Sequence, residues 1–213
     1  MNPIVLFLLC FLSNFLSSLG RQFGGVKVYT LGDKILWEKC ANISIESIKS
    51  SPHIIKAIKD THAALSAFRI EMKFGRAIAA PQVGYQLRMI AMNLNGTEHT
   101  LFNPEIIEKS ADTFTMWDDC LSFPNLMCCI RRYKSISVRF VNKHGETVTW
   151  KHCDQALSEL LQHEIDHLNG VLAVDNAEKP SAIGLDKTCP AIVLRSDWLR
   201  DKSYYNSLVD FSY

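Results

Sequence analysis

The chain has 213 residues, of which 47% are hydrophobic and 21% charged, and its formal net charge is +1. This size favours one domain with an additional tail, and the composition is that of an ordinary domain with a substantial core. A nearly neutral chain offers no broad basic face, so we expect neither a nucleic-acid partner nor a charged membrane-surface interaction. The seven cysteines are irregularly spaced, which argues against a disulfide framework and favours reduced thiols.

The first 20 residues have the pattern of a targeting leader. Apolar residues run almost without interruption from Ile4 to Leu12, a stretch too short for a bilayer span of about 20 residues. Ser18-Leu19-Gly20 resembles a cleavage site of the small-x-small type, although no Lys or Arg precedes the apolar run. A buried N-terminal strand or helix is the alternative interpretation. If the leader is removed, we expect no stable membrane association.

The predicted globular part begins with a short strand at residues 28–31 and a turn at Gly32-Asp33. A helix should follow, because Ser51 suits an N-cap and Pro52 suits the first helical position. Apolar residues keep helical spacing to about Arg69, so this helix is expected to bury one face as scaffold.

Small residues cluster in the next loop, from Gly75 to Gln82. Small side chains allow another backbone to come close, and Gln82 could direct its amide at a bound carbonyl group. A tightly packed loop with a satisfied glutamine is an equally good interpretation of this segment alone.

The middle of the chain predicts several strands joined by short turns, one of them at Asn95-Gly96. The predicted strands cover residues 88–94, 100–108, 135–140 and 147–151. Strands and helices do not alternate regularly, so the pattern predicts an α+β fold with antiparallel sheets rather than a parallel sheet.

A single helix follows, with Asp154 as its cap and Gly170 at its C-terminal end. It carries His163, Glu164 and His167 in a His-Glu-x-x-His pattern. Two histidines four residues apart lie on one helical face and can bind one metal ion, with the glutamate placed to move protons. An amphipathic helix that carries two histidines by chance is the alternative. The helix is apolar on nearly all sides, so we expect it to be buried.

The metal hypothesis needs a third ligand, and the sequence offers cysteines, carboxylates and other histidines. The remaining histidines are scattered and are expected to be solvated; they are His53, His62, His99, His144 and His152. Residues after Val174 form a tail with apolar and aromatic side chains that could pack as a terminal helix. We find no chemical motif in that tail.

Three segments, in this chain order, resemble the motifs of the peptide deformylase family. Residues 75–82 resemble its Gly-x-Gly-x-Ala-Ala-x-Gln loop, residues 118–122 its Glu-Gly-Cys-Leu-Ser segment, and residues 162–168 its Gln-His-Glu-x-Asp-His-Leu helix. The resemblance implies a deformylase-like catalytic domain over residues 27–176 and a C-terminal extension over 177–213. It also implies antiparallel sheets packed around the metal-binding helix.

The resemblance implies a role for each matching residue. Cys120, His163 and His167 would bind one divalent metal ion, with Fe²⁺ expected and Zn²⁺ or another ion possible, and would leave a fourth position for water. Glu164 would be the general base and then the general acid. The side chain of Gln82 and the backbone N–H of Leu121 would hold the oxyanion of a formyl group.

Three positions depart from the family pattern. Ala77 and Asp119 replace glycines beside which the substrate backbone would run, with Gly75 also in that groove. Asp118 replaces a glutamate, and the shorter side chain is expected to loosen the contact that holds the Cys120 loop. The charge of Asp119 is expected to disfavour acidic substrates, and it would raise the pKa of water bound at the site.

Two hypotheses follow. The first is an active deformylase, of reduced or shifted activity, that removes formate from N-formylmethionyl peptides or from nascent chains near the ribosome. The second is a metal-binding peptide-binding or regulatory module with little deformylase activity. Formylmethionine begins proteins in bacteria, mitochondria and plastids, so an apolar leader favours a eukaryotic organelle.

Overall fold

The computed structural model describes residues 21–179 and 190–211. The predicted leader, residues 1–20, lies outside the described residues. The α-helices are α1 (Ile45–Ser50), α2 (Pro52–Met72), α3 (Gln155–Leu168), α4 (Arg195–Arg200) and α5 (Lys202–Ser207). Short 3-10 helices cover Lys34–Trp37 and Ala80–Val83. The strands are β1 (Gln22–Phe23), β2 (Val26–Lys27), β3 (Ala77–Ala79), β4 (Met89–Leu94), β5 (Thr97–Lys109), β6 (Thr113–Asp118), β7 (Leu126–Tyr133), β8 (Ile136–Val141), β9 (Thr147–Trp150) and β10 (Ile192–Leu194).

The described strands form antiparallel sheets, which confirms the predicted α+β class. A five-stranded sheet has the order β3-β4-β5-β8-β9, a three-stranded sheet has the order β10-β7-β6, and β1 pairs with β2. The β4–β5 hairpin turns at Asn95 and Gly96, whose φ angles of 51° and 87° fit the predicted two-residue turn. The strand β3 lies at an edge of its sheet, so one of its sides has no strand partner among the described residues.

Helix α3 lies between the two larger sheets and contacts β3 on one side and β7 on the other. The Asp154 side chain caps the helix by accepting a hydrogen bond from the Leu157 N–H at 2.9 Å, as predicted. The helix ends at Leu168, and Gly170 follows with a φ angle of 72°. A side chain at Gly170 would lie 2.5 Å from the Trp37 carbonyl oxygen, so this chain reversal requires glycine.

Helix α2 begins at Pro52 as predicted and continues three residues beyond Arg69. It ends at Met72, Lys73 caps it in a left-handed conformation, and the chain then turns at Gly75 with a φ angle of 107°. A β-carbon at Gly75 would lie 2.7 Å from the Phe68 ring. This close approach brings the predicted loop back toward the centre of the fold. No helix among residues 21–179 and 190–211 is long and apolar enough to cross a membrane.

The predicted strand at residues 28–31 is wrong. This segment is extended, but its N–H groups bond to two loops rather than to one neighbouring strand: Tyr29 donates to the Gln82 carbonyl at 2.8 Å and Leu31 to the Ser122 carbonyl at 2.9 Å. It therefore ties together the two loops that carry predicted site residues. Strands β6 and β7, which the sequence interpretation missed, present several cysteines and bulky residues to the core.

The C-terminal segment, residues 190–211, packs on the three-stranded sheet rather than forming one terminal helix. Strand β10 pairs with β7 in antiparallel register, and helices α4 and α5 follow it. The Trp117 indole N–H donates to the Tyr205 carbonyl at 2.7 Å, and Leu208 is buried. The Asp210 carboxylate accepts hydrogen bonds from the backbone and hydroxyl of Thr115.

Candidate functional site

The structure brings the three predicted metal ligands together. One ligand atom each from Cys120, His163 and His167 lies within 4.8 Å of the others, and all three residues are buried. The His167 Nε2 is 3.2 Å from both the Cys120 Sγ and the His163 Nε2. Three lone-pair atoms crowded into a buried space are stabilised by a shared cation, and one thiolate with two imidazoles is a donor set suited to Zn²⁺ or Fe²⁺. The residues therefore fit a divalent metal ion.

Asp118 orients one of these histidines. Its carboxylate lies 2.9 Å from the His163 Nδ1, which leaves Nε2 directed at the ligand cluster. Burial opposes ionisation of Asp118, but His163 and Arg132 beside it lower its pKa to about 2. The same contact raises the pKa of His163, against the effect of burial, whereas burial lowers the pKa of His167. The shorter Asp118 side chain reaches both His163 and Arg132, and the loosening of the Cys120 loop stays a prediction.

Arg132 is a residue of this site that the sequence interpretation missed. Its guanidinium is 3.2 Å from the Asp118 carboxylate and also pairs with Asp166 on helix α3. Alternation along β7 places Arg132 on the same face as the buried Cys128 and Ile130. A charged residue on an inward-facing position was the available signal, because a buried cation requires an acidic partner.

Gln82 lies directly beside the ligand cluster. Its side-chain oxygen accepts a hydrogen bond from the Ala79 N–H at 2.8 Å, which directs the amide nitrogen toward the Cys120 Sγ at 3.4 Å and the Ser122 Oγ at 3.1 Å. The Ser122 N–H also lies 3.4 Å from the Cys120 Sγ. Leu121 occupies the turn between these residues and lines the same groove.

Glu164 follows His163 directly on helix α3. It is buried, and its Oε2 has no hydrogen-bond partner among the described residues. Burial is the main reason that its pKa is raised to about 7. An unpartnered carboxylate oxygen in a cavity that also exposes ligand atoms is suited to proton transfer.

A groove of about 670 Å³ contains these residues and extends to the surface. Gly75, just before the edge strand β3, and Ala77, at its start, line the groove, as does Asp119. Every predicted catalytic, metal and substrate residue thus lines one groove except His167, whose Nε2 lies 3.2 Å from the lining residues Cys120 and His163. The sequence interpretation did not single out Glu159 and Arg76, which form an ion pair at the wall of the groove; Glu159 is buried and Arg76 is partly exposed.

The expected effect of the Asp119 charge on substrates needs correction. Arg195, in the C-terminal segment, pairs with the Asp119 carboxylate and compensates its charge. The groove is also lined by Trp198, Leu199 and Lys202 from the same segment. The tail in which we found no chemical motif is therefore part of the wall of the groove.

Comparisons with known proteins identify the family of this chain. The sequence model described as polypeptide deformylase matches residues 26–182. The chain is 34% identical over 170 residues to a peptide deformylase of Pseudothermotoga lettingae, covering 80% of this chain and 93% of that protein. It is 34% identical over 152 residues to one of Carboxydothermus hydrogenoformans, covering 71% and 93%.

Solved structures show the same fold. A Synechococcus elongatus peptide deformylase in complex with actinonin matches with a TM-score of 0.64 and 27% identity, over 75% of this chain and 82% of that one. The Thermotoga maritima enzyme matches with a TM-score of 0.61 and 30% identity, over 71% and 96%. An Acinetobacter baumannii class I type b peptide deformylase with Met-Ala-Ser bound matches with a TM-score of 0.61 and 28% identity, over 71% and 97%. The chain belongs to the peptide deformylase family, whose members remove the formyl group from N-formylmethionyl peptides.

Proposed function

We propose that this protein is a metal-dependent hydrolase that removes the formyl group from the N-terminal formylmethionine of newly made organellar proteins. The observation that carries the proposal is the cluster of Cys120, His163 and His167 beside a groove that is also lined by Glu164, whose Oε2 has no hydrogen-bond partner among the described residues. Family membership supports the same reaction.

The edge strand β3 explains how a peptide would bind. Its free side borders the groove, so an extended peptide can add to the sheet as a further strand. The peptide backbone would run beside Gly75 and Ala77, with the formyl group directed toward Glu164. The Met-Ala-Ser peptide bound by the Acinetobacter baumannii relative supports a groove that accepts such a ligand.

The side chains of the site divide the reaction between them. When bound, a divalent ion held by Cys120, His163 and His167 would supply Lewis-acid activation. Glu164 accepts a proton from the water that attacks the formyl carbon and returns a proton to the amine as the C–N bond breaks. The Gln82 amide and the Leu121 N–H donate to the developing oxyanion, and formate and the free N-terminal amine leave.

We propose Fe²⁺ as the metal, with Zn²⁺ as the alternative. Both accept a thiolate and two imidazoles, and the thiolate reduces the effective charge of either ion. Asp118 supports the assignment of His163 as a ligand, because metal-binding histidines commonly donate their second N–H to a carboxylate.

The test is formate release from a formyl-Met-Ala-Ser peptide by protein loaded with Fe²⁺, with the metal content measured in the same sample. Glu164→Gln is the matched control, since it keeps the shape of the side chain but removes the base. We expect formate release by the unaltered protein only. Peptide binding without release above this control would favour the peptide-binding module instead, for which the added side chains at Ala77 and Asp119 are the supporting observation.

We extend the proposal to location and partners. The apolar run in residues 1–20 supports import into a mitochondrion or plastid, and the substrate would be a formylmethionyl nascent chain close to the ribosome. Nucleic acid and the membrane are not proposed as partners after leader removal. A fluorescent protein fused after residue 26 should accumulate in an organelle, whereas a fusion lacking residues 1–20 should not.

A further inference from the structure

The groove has a wall built from residues that lie beyond the segment matched by the family's sequence model. That match ends at residue 182, whereas Arg195, Trp198, Leu199, Lys202 and Asn206 line the groove. The opposite side carries Phe74 and Lys73, at the end of helix α2. The outer groove therefore lies between the end of α2 and the C-terminal segment.

Arg195 connects the two sides. Its guanidinium pairs with Asp119, one residue before the ligand Cys120, and lies over the Phe74 ring at 4.9 Å from the ring centre. The pair compensates both charges, and the planar guanidinium keeps further N–H donors for other acceptors. Such donors suit the carbonyl groups of an extended peptide.

The rim of the outer groove is apolar and exposed. Leu199 is 59% exposed and Phe74 is 40% exposed, and both line the groove next to Arg195. Exposed apolar side chains around a polar anchor are typical of a peptide-binding surface. The same groove leads without interruption to Glu164 and the ligand cluster, so its occupant is the continuation of the substrate chain.

The C-terminal segment is held in place without Arg195. Strand β10 pairs with β7, Trp117 bonds to the Tyr205 backbone, and Asp210 bonds to Thr115. Substitutions at the exposed Leu199 or at Arg195 should therefore leave the segment docked. These substitutions can therefore test the role of the wall while the C-terminal segment stays folded.

We propose that the C-terminal segment forms an outer subsite for the substrate residues that follow the formylmethionine, with Arg195 and Leu199 as specificity-determining residues. Arg195 donates to backbone carbonyls, Phe74 and Leu199 pack on side chains, and Asp119 holds Arg195 in position. The inference rests on the proposed function. It predicts that a longer formyl peptide binds more tightly than a formyl dipeptide.

The test measures the binding of formyl-Met-Ala and formyl-Met-Ala-Ser-Ala-Ala by titration calorimetry. It uses metal-loaded Glu164→Gln protein, in which the peptides remain intact. We expect the longer peptide to bind about tenfold more tightly, a modest gain for a few added contacts. Arg195→Gln or Leu199→Ala should each remove about threefold or more of that gain, within the usual range for rim residues, and Leu199→Ala should leave the dipeptide affinity unchanged.

Arg200→Gln is the matched control, because Arg200 lies on the same helix but faces Asp197 and not the groove. It should retain the full length dependence, and thermal unfolding should show all variants folded. Equal affinity of both peptides for the parent protein would overturn the inference, as would a variant that weakens both peptides equally. If neither peptide binds and no formyl peptide is hydrolysed, the proposed function itself fails. Hydrolysis of formyl-Met-Ala without a length effect rejects only the outer subsite.

Discussion

The inner site and the outer wall of the groove differ in how their contacts are encoded. In the inner site, His163, Glu164 and His167 lie within one turn and a half of helix α3, so their spacing alone indicates a shared task. In the outer wall, the contact between Asp119 and Arg195 joins residues 76 positions apart. No local pattern marks Arg195 as a partner of the Cys120 loop.

The inner site and the outer wall also differ in burial, and we relate this to different functions. The inner residues are buried, and hydrogen bonds to Asp118 and to the Ala79 N–H hold His163 and Gln82 in place, which preorganises the chemistry. The outer residues are half-buried or exposed, so they can be changed with little effect on the fold. Reaction type is therefore a property of the inner site, and preference among peptides is expected to arise in the outer wall.

The largest effect is expected when the proposed thiolate ligand, Cys120, is removed. Cys120→Ala should lose bound metal and formate release, because two imidazoles alone hold a divalent ion weakly. Cys128→Ala is the matched control: this cysteine is fully buried near Cys120 but lies outside the ligand cluster. Metal analysis and the formate assay check both variants. Full metal content in Cys120→Ala would contradict the assignment of Cys120.

The next largest effect should follow from Gln82→Ala. Removing one donor to a developing oxyanion typically lowers kcat by about 10²–10³-fold, and KM should change little. Gln86→Ala is a suitable control, because Gln86 is bonded to the Ile35 carbonyl and does not line the groove. Steady-state kinetics on one formyl peptide separates kcat from KM. A rise in KM at constant kcat would instead make Gln82 a residue of ground-state binding.

Sequence patterns predicted the elements whose residue spacing, helix caps or turn residues follow a regular local pattern. Helices α2 and α3, the β4–β5 hairpin and strands β8 and β9 were all indicated by spacing, caps or turn residues. Strands β6 and β7 were missed because they are buried on both faces or carry runs such as Cys128-Cys129-Ile130, which lack alternation. The predicted strand at residues 28–31 was wrong because this segment bonds to two segments distant in sequence, which no local rule can identify.

The site was predictable through its three motifs, but its supporting contacts were not. The Asp118 carboxylate reaches His163 only because β6 and α3 meet in the folded protein. Arg132 and Arg195 belong to strand and tail segments distant in sequence, so their pairing depends on the tertiary structure. Spacing predicts which residue types can react, whereas burial and long-range pairing decide how those residues are held.

Asp118→Asn tests one of these supporting contacts. The amide would not stabilise the imidazole of His163 as a carboxylate does, so metal affinity should fall by about 10–100-fold. Asp118→Glu keeps the carboxylate and restores the residue type of the family motif, so its metal affinity should fall less than that of Asp118→Asn. Competition with a fluorescent zinc chelator measures both. Equal affinities for the Asn and Glu variants would show that the charge at this position does not tune the site.

The smallest effect concerns stability at the groove wall. Burial raises the pKa of Glu159 to about 7, although Arg76 opposes the shift. The folded state therefore holds the Glu159 proton more tightly than the unfolded chain does. The protonated Glu159 contributes its full stabilisation of the fold below the ordinary pKa of 4.5, and this contribution is lost as the pH rises through about 7. Glu159→Gln removes this dependence, so its free energy of unfolding relative to the parent should rise between pH 4.5 and pH 8 by at most about 3 kcal/mol.

Urea unfolding at both pH values, at the same metal loading, measures this difference. Glu105→Gln is the control, since Glu105 pairs with Arg139 at the surface and its charge remains in contact with water. Its relative stability should be nearly the same at both pH values. If Glu159→Gln behaves in the same way, the Arg76 guanidinium fully compensates the buried charge, and the wall of the groove holds an ionised pair throughout the physiological range.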